Sequence, residues 1–187
     1  MSTENITGII LAGGASRRMN GVDKAWMPYE GRPLIKHVID RVKPQVNELI
    51  ISYSQNPEKY QSLPYPCYRD YRLGFQGPLT GILTCCRYVS TQLVFVVPCD
   101  VPFIPTNIVQ RLSTHIKDSD VVVPYDGNRE QHLIFLSKAK TLESINQYLK
   151  SDAKSVKGWL SQRLKRIVDC SDEREAFDNI NTRSQLS

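Results

Sequence analysis

A glycine-rich stretch near the beginning of the chain holds the first side chains that could do chemistry. Gly13 and Gly14 directly follow the largely apolar residues 6–12, and the cations Arg18 and Lys24 come later in the same stretch. Paired glycines let backbone N–H groups approach an anion closely, and arginine and lysine bind phosphate oxygens. The pattern therefore predicts a triphosphate-binding loop behind a buried strand. A strand and a turn with solvent-exposed arginines is the alternative that these residues alone leave open.

Two widespread phosphate-binding motifs do not describe this stretch. The P-loop requires G-x-x-x-x-G-K-[ST], and no such run occurs in the chain. The dinucleotide fingerprint requires G-x-G-x-x-G, and Ala15 stands where its second glycine would follow Gly13. A NAD-dependent dehydrogenase is therefore disfavoured.

Asp100 is the second candidate for chemistry. It follows the five apolar residues 93–97 and lies between Pro98 and Pro102, which limit the local backbone. A carboxylate held at a strand end suits Mg²⁺, which keeps most of its waters and bridges to substrate phosphates. A helix-capping or turn aspartate is the alternative. The metal site is favoured because the phosphate loop is predicted at the same edge of the sheet.

Alternating strand and helix patterns must position these residues. They predict an α/β fold, a three-layer Rossmann-like sandwich with a mostly parallel central sheet and helices on both faces. Ligands of such sheets bind at the carboxyl ends of the strands, so Gly13 and Asp100 should face one crevice. Residues 54–66 are predicted as a loop with one helical turn. Strands are predicted at 6–11, 48–53, 67–70, 93–97, 120–124, 132–136 and 166–170, and helices at 33–43, 78–86, 105–116, 138–149 and 155–164.

Composition and charge narrow the class of protein. The chain has 187 residues, enough for one domain with a sizeable core, and 41% of them are hydrophobic. Lys and Arg number 24 against 19 Asp and Glu, which gives a net charge of +5. This mild excess suits small anionic ligands, and it is not the concentrated basic stripe of a nucleic-acid-binding protein. We expect no secretory signal and no membrane span.

The five cysteines indicate reduced thiols rather than a metal or disulfide framework. They are not arranged as C-x-x-C, and no histidine clusters with them, so a structural zinc site is disfavoured. An odd number of cysteines with no secretory signal favours a cytoplasmic protein. Cys99, beside Asp100, is expected to be a small buried residue.

Several motifs together resemble the nucleotidyltransferases that activate sugars and cofactors with a nucleoside triphosphate. The double arginine followed by methionine, and the run G-V-D-K at 21–24, resemble the branch of molybdenum cofactor guanylyltransferases most closely. The resemblance spans most of the chain, strongly to residue 105 and again from residue 177. The motifs that carry it are LAGG at 11–14, RRM at 17–19, DK at 23–24, GRPL at 31–34, GPLTG at 77–81, PCDVP at 98–102 and FDNINT at 177–182.

The resemblance implies transfer of GMP from GTP to molybdenum-molybdopterin, with Mg²⁺ as cofactor and pyrophosphate as the second product. It implies one nucleotidyltransferase domain over residues 1–187, and transient contacts with proteins that deliver and receive the cofactor. It implies catalytic roles for Arg18, Lys24 and Asp100, with Asp100 as metal ligand. Asn179 and Asn181 are implied at the pterin end of the site or at the metal. The implied nucleotide-binding residues are Leu11, Ala12, Gly13, Gly14, Lys24, Ser52, Asp70 and Asp100.

Two positions depart from the family pattern. Ser52 stands where the family often has asparagine, and serine has a shorter reach. Gln131, His132 and Leu133 stand where the family tends to show His-Pro-Thr, and His132 is expected to begin a strand rather than to catalyse. Two other functions stay open: another nucleotidyltransferase, of sugar-1-phosphate or cytidylyl type, and a non-catalytic GTP-binding partner in cofactor insertion.

Overall fold

A computed structural model describes residues 5–13, 23–70, 77–151 and 154–180. The strands are β1 Ile6–Leu11, β2 Pro28–Tyr29, β3 Arg32–Pro33, β4 Glu48–Tyr53, β5 Cys67–Arg69, β6 Leu93–Pro98, β7 Val121–Tyr125, β8 Phe135–Lys138 and β9 Lys165–Asp169. The α-helices are α1 Leu34–Val42, α2 Pro57–Tyr60, α3 Pro78–Cys86, α4 Ile108–Ser113, α5 Ala139–Leu142, α6 Ser144–Lys150 and α7 Val156–Leu160. Within these ranges, 3₁₀-helices span Lys24–Trp26, Lys43–Gln45 and Ser171–Phe177.

Seven strands form the central sheet in the order β5-β4-β1-β6-β8-β7-β9. The pairs β1–β4, β1–β6, β4–β5 and β7–β9 are parallel, whereas β8 runs antiparallel to both β6 and β7. Strands β2 and β3 form a separate two-stranded hairpin. The predicted mostly parallel sheet is therefore confirmed, with β8 as its antiparallel member.

Helices cover both faces of the sheet, which makes the three layers. On one face, Ile10 and Phe95 pack in a cluster with the buried side of α1 and α4. On the other face, Ile9 and Val94 pack in a cluster with α3 and α5 to α7. Neighbouring residues of one strand point to opposite faces because side chains alternate along a strand. The central strands β1 and β6 are thus buried on both faces, as their largely apolar sequences predict.

The helix α1 shows why the sequence pattern predicted this packing. Its residues Leu34, Ile35, Val38, Ile39 and Val42 are all buried and recur at helical spacing. A 3₁₀-turn that contains Pro44 follows, because proline lacks the N–H that a continuing helix would need.

Several predicted boundaries were wrong in the second half of the chain. Helix α4 is shorter than the predicted 105–116, because Asn107 has non-helical backbone angles (φ −124°, ψ 9°). The predicted helix 138–149 is two helices, α5 and α6, that meet at Glu143, and α7 ends at Leu160 instead of residue 164.

The strand predicted at 132–136 begins later, at Phe135. A turn precedes it, in which the N–H of Gln131 donates to Pro124 O (2.9 Å) and the N–H of Ile134 donates to Gln131 O (2.9 Å). His132 therefore lies in this turn and does not begin a strand. Each helix within the described ranges is too short or too polar to cross a lipid bilayer.

Candidate active site

The carboxyl ends of β1, β4 and β6 meet at one edge of the sheet. Leu11 is in register with Ser52 on one side and with Pro98 on the other. Backbone hydrogen bonds extend the pairing past the strand ends, from Ala12 N to Ser52 O (2.8 Å) and from Cys99 N to Leu11 O (3.1 Å). The prediction that Gly13 and Asp100 face one crevice is confirmed, because both line the same cleft. The residues that line this cleft, which we call the nucleotide-side cleft after the role predicted for its glycine loop, are Leu11, Ala12, Gly13, Asp23, Lys24, Pro78, Pro98, Cys99, Asp100 and Leu133.

Lys24 and Asp100 form an ion pair inside the cleft. The distance from Lys24 Nζ to Asp100 Oδ2 is 2.6 Å, and the two side chains are 25% and 15% exposed. Charge-assisted hydrogen bonds of this length are stronger than neutral ones. The side chain of Lys24 extends from the 3₁₀-helix Lys24–Trp26 to Asp100 after the end of β6, so the pair joins two distant parts of the chain.

Residues 179–180 contact the same aspartate, Asp100. Asn179 Nδ2 lies 3.4 Å from Asp100 Oδ1 and 3.3 Å from Asp100 Oδ2, and the N–H of Ile180 donates to Asp100 O (2.9 Å). Of the two asparagines that the family resemblance singled out, Asn179 therefore lies against the predicted metal ligand. Asn181 lies outside the described residues, as do Gly14, Arg17 and Arg18.

Ser52 and Asp70 lie behind the glycine loop. Ser52 Oγ donates to Asp70 Oδ1 at 2.6 Å. A Cβ atom on Gly13 would lie 2.7 Å from Asp70 Oδ2, and one on Gly81 would lie 2.4 Å from Ser52 Oγ. Both positions thus require glycine for the polar pair to approach the loop and helix α3. Burial raises the pKa of Asp70, and the hydrogen bond from Ser52 opposes that rise.

A second cleft adjoins the nucleotide-side cleft, and the two share Pro98 and Leu133. Glu130 accepts a short hydrogen bond from Lys165, and His132 Nε2 lies 3.3 Å from Glu130 Oε2. The bond from Lys165 lowers the pKa of Glu130, and burial lowers the pKa of His132. The residues that line this second cleft, which we call the acceptor-side cleft after the pterin-side role predicted for Asn179, are Pro98, Arg129, Glu130, Gln131, His132, Leu133, Ile134 and Asn179.

Sequence reasoning missed two groups in these clefts. Asp23 was given no role, although it is buried in the nucleotide-side cleft and accepts hydrogen bonds from Tyr60. The pair of Glu130 and Lys165 joins residues 35 positions apart, which no local pattern reveals. The position of Asp23 directly before Lys24, in a motif that carries the family resemblance, is the signal that could have drawn attention to it.

The donor atoms of the nucleotide-side cleft suit a hard cation that is bound mainly by its substrate. No group of three or more His, Cys, Asp or Glu side chains gathers for a metal ion in the described ranges. Mg²⁺ is commonly held by one or two carboxylates together with waters and substrate phosphates. Asp100, with its carboxylate partly exposed to the cleft, fits that requirement.

The fold and the cleft at the strand ends define the chain, first, as a Rossmann-like α/β protein with its candidate site at the carboxyl ends of the strands. Its fold matches the crystal structure of molybdopterin-guanine dinucleotide biosynthesis protein A from Archaeoglobus fulgidus, with a TM-score of 0.79. The match covers 96% of this chain and 94% of that one at 20% sequence identity. The predicted three-layer architecture is thereby confirmed.

The sequence comparison is more specific. A family model for the MobA-like NTP transferase domain matches residues 8–167. The molybdenum cofactor guanylyltransferase of Shewanella loihica is 37% identical over 182 residues, which are 96% of this chain and 93% of that protein. The protein of the same name from Shewanella baltica is 36% identical over 98% of this chain and 94% of its own length. The chain therefore belongs to the molybdenum cofactor guanylyltransferases of the MobA-like NTP transferase family, which confirms the resemblance.

Proposed function

We propose that this chain transfers GMP from GTP to molybdenum-molybdopterin, releasing pyrophosphate and forming the guanine dinucleotide form of the cofactor. One observation of the site carries the proposal. The ion pair of Lys24 and Asp100 lies beside Gly13, at the ends of two adjacent parallel strands. A cation and a carboxylate next to a glycine turn are the groups that a triphosphate and its metal ion need.

The reaction needs charge neutralisation and alignment more than proton transfer. The terminal phosphate of molybdopterin is a monoester that is already anionic near neutral pH, so no side-chain general base is required. An oxygen of this phosphate forms a bond to the α-phosphorus of GTP. The bond from that phosphorus to the oxygen shared with the β-phosphorus breaks, and pyrophosphate leaves with that oxygen. Lys24 neutralises phosphate charge and holds the reacting groups in line, which accounts for most of the catalysis in transfers of this kind.

The nucleotide side of the site is proposed from the strand ends. Leu11, Ala12 and Gly13 contact the nucleotide through the loop backbone, because these residues line the cleft directly after β1. Ser52 and Asp70 complete this side as a hydrogen-bonded pair. Gly14 and Arg18 are proposed to hold the triphosphate, on the basis of the family motif alone.

Asp100 is the residue proposed to hold Mg²⁺. An ion held there would supply positive charge that stabilises the negative charge developing on the phosphates during transfer. Asp100 Oδ2 also accepts from Lys24, so this one carboxylate would gather both positive groups at the phosphates.

The acceptor side is proposed to be the adjoining cleft, together with Asn179 and Asn181. Asn179 supports this assignment because it lines the acceptor-side cleft and also contacts Asp100. A pterin phosphate bound there would lie next to the nucleotide-side cleft, because the two clefts share Pro98 and Leu133. The five cysteines are free thiols, which supports a cytoplasmic location. The proteins that deliver and receive the cofactor are further proposed partners.

Pyrophosphate release with a panel of substrates tests the proposal. GTP, ATP and CTP are each combined with Mg²⁺ and either molybdenum-molybdopterin or glucose 1-phosphate. We expect release only with GTP and the pterin. Release with glucose 1-phosphate would reassign the chain to the sugar-activating enzymes, and release with CTP to a cytidylyltransferase. GTP binding without release under any pairing would indicate a non-catalytic GTP-binding partner.

A further inference from the structure

Asp23 is a buried carboxylate at the edge of the nucleotide-side cleft, and it has three hydrogen-bond donors. Its side chain is 5% exposed. Oδ1 accepts from Ala25 N (3.2 Å), Oδ2 accepts from Asn56 Nδ2 (3.3 Å), and Tyr60 Oη lies 3.2 Å from Oδ1 and 3.0 Å from Oδ2. Burial raises the pKa of Asp23, whereas these donors lower it. Burying a carboxylate is unfavourable unless hydrogen-bond donors satisfy it, as these three donors do for Asp23.

Tyr60 is fixed from several sides. Its side chain is 1% exposed, its ring stacks on Tyr53 with centroids 4.5 Å apart, and Trp26 meets it edge-on at 5.5 Å. Burial and the neighbouring Asp23 raise the pKa of Tyr60, so its hydroxyl stays protonated and donates. Asn56, in a left-handed conformation (φ 55°, ψ 54°), directly precedes the short helix α2 that carries Tyr60. The donors thus come from a segment more than thirty positions away in the chain.

Asp23, the acceptor in this network, also holds the backbone that carries Lys24. Asp23 caps the 3₁₀-helix Lys24–Trp26 through Ala25 N, and its backbone oxygen accepts from Trp26 N (3.1 Å). Lys24 is the first residue of that helix, and its Nζ lies 2.6 Å from Asp100 Oδ2. A lysine side chain has several rotatable bonds, and ordering them costs entropy. The ammonium group is therefore held at one place more readily when the backbone that carries it is fixed.

We propose that Asp23, held by Tyr60 and Asn56, is a positioning residue that fixes Lys24 against Asp100 for nucleotidyl transfer. The proposal rests on the proposed function of the site. Asp23 acts through Lys24 and does not touch the reacting atoms. The hydrogen bonds to Asp23 connect the backbone of Lys24 to the apolar cluster of α1 and α4, in which Tyr60 is buried.

Tyr60→Phe is the sharpest variant, because it removes one donor to Asp23 and keeps the ring. We expect kcat to fall about tenfold, the order expected when a hydrogen bond to a charged group is lost. The KM for the pterin should stay unchanged. Tyr53→Phe is the matched control, since it alters the neighbouring ring and leaves the three donors to Asp23 in place; its kcat should equal that of the unaltered protein.

A double-mutant comparison separates positioning from a loss of packing. Combined with Lys24→Ala, Tyr60→Phe should lower kcat no further than Lys24→Ala does alone. Asn56→Ala should follow the same pattern, which keeps the test intact if one variant folds poorly. Full activity of Tyr60→Phe, or two effects that multiply, would overturn the proposal while transfer by the unaltered protein still supports the proposed function.

A readout without substrates covers the case in which the proposed function fails. A lysine-specific acylating reagent is applied to the protein, and modification of Lys24 is followed by mass spectrometry. We expect Tyr60→Phe to raise the rate of modification at Lys24 several-fold and to leave the exposed Lys36 unchanged. Equal rates at Lys24 in both proteins would contradict the positioning role, whatever reaction the site catalyses.

Discussion

Asp70 and Glu130 are carboxylates of the site whose surroundings shift their pKa in opposite directions. Burial raises the pKa of Asp70 above its ordinary value of 3.8. The hydrogen bond from Lys165 lowers the pKa of Glu130 below its ordinary value of 4.5. The two residues should therefore make opposite contributions to the pH dependence of folding.

The sign follows from proton linkage. Folded Asp70 binds its proton more tightly than the unfolded chain does, so its contribution to stability falls as pH rises through the raised pKa. Glu130 stabilises the fold above its ordinary pKa, and this contribution is lost as pH falls through the lowered pKa. As pH rises from about 3 to 7, Asp70→Asn should therefore gain stability relative to the unaltered protein, mainly above the ordinary pKa of 3.8. Over the same interval Glu130→Gln should lose stability relative to the unaltered protein, mainly below the ordinary pKa of 4.5.

Urea unfolding of the three proteins at both ends of that interval measures these differences. The free energy of unfolding relative to the unaltered protein should move in opposite directions for the two variants. If both variants followed the same pH trend, the assignment of Asp70 as burial-dominated and of Glu130 as ion-paired would be wrong.

At the scale of elements, helix α3 packs against the site through a glycine. Alanine normally stabilises a helix interior by about 1 kcal/mol relative to glycine. A Cβ atom on Gly81 would however lie 2.4 Å from Ser52 Oγ and 3.3 Å from Asp70 Oδ1. We expect Gly81→Ala to destabilise the protein by about 1–3 kcal/mol, the range for an overpacked site.

Ser52→Ala provides the control, because it removes the oxygen that the new methyl group would meet. Gly81→Ala should cost clearly less stability in the Ser52→Ala background than in the unaltered protein, as measured by thermal unfolding. An equal cost in both backgrounds would show that the helix does not pack as closely on Ser52 as described.

Helix α4 anchors the segment that returns Asn179 to Asp100. Arg111 donates to Asp172 (2.8 and 3.0 Å), to Glu173 (2.8 Å) and to the backbone oxygen of Asp169 (2.9 Å). These contacts bind α4 to the 3₁₀-helix Ser171–Phe177, which leads directly into Asn179.

Arg111→Ala should loosen that C-terminal segment. We expect faster amide hydrogen exchange in residues 171–180, and a KM that rises more for the pterin than for GTP. Arg32→Ala is the matched control, because Arg32 forms an exposed pair with Asp40 that contributes little to stability. Unchanged exchange in residues 171–180 would show that other contacts hold the segment.

At the scale of the whole molecule, the sheet should make both helical layers unfold as one unit. Each central strand contributes side chains to both apolar clusters, so neither layer has a core of its own. The two tryptophans of the chain report on different layers: Trp26 packs against one cluster, and Trp159 is buried in the other.

Single-tryptophan variants test this prediction of one domain. Trp159→Phe leaves the signal of Trp26, and Trp26→Phe leaves that of Trp159. In each variant, the fluorescence midpoint in urea should coincide with the midpoint from circular dichroism, as two-state unfolding requires. Separate midpoints in either variant would indicate that the layers unfold independently.

The sequence predicted those parts of the fold whose residues are patterned locally. The apolar runs of β1, β4 and β6 and the periodic face of α1 are local signals, and these elements formed where expected. The same runs predicted that Gly13 and Asp100 face one cleft, because parallel strands end at one edge of the sheet.

Long-range contacts account for most of what was missed. The donors from Asn56 and Tyr60 to Asp23, and from Lys165 to Glu130, join positions 33 to 37 apart, and such pairs leave no periodic trace in the sequence. The break between α5 and α6, and the late beginning of β8, depend in the same way on turns and packing rather than on residue propensity.

The transfer of the α-phosphoryl group tests the central claim most directly. The protein is incubated with Mg²⁺, molybdenum-molybdopterin and GTP labelled at its α-phosphorus, and the pterin product is separated. We expect the label to enter the pterin in a one-to-one ratio with released pyrophosphate, and Asp100→Asn to abolish this transfer while the protein stays folded. Label that remains in free GMP or GTP, or full transfer by Asp100→Asn, would contradict the account.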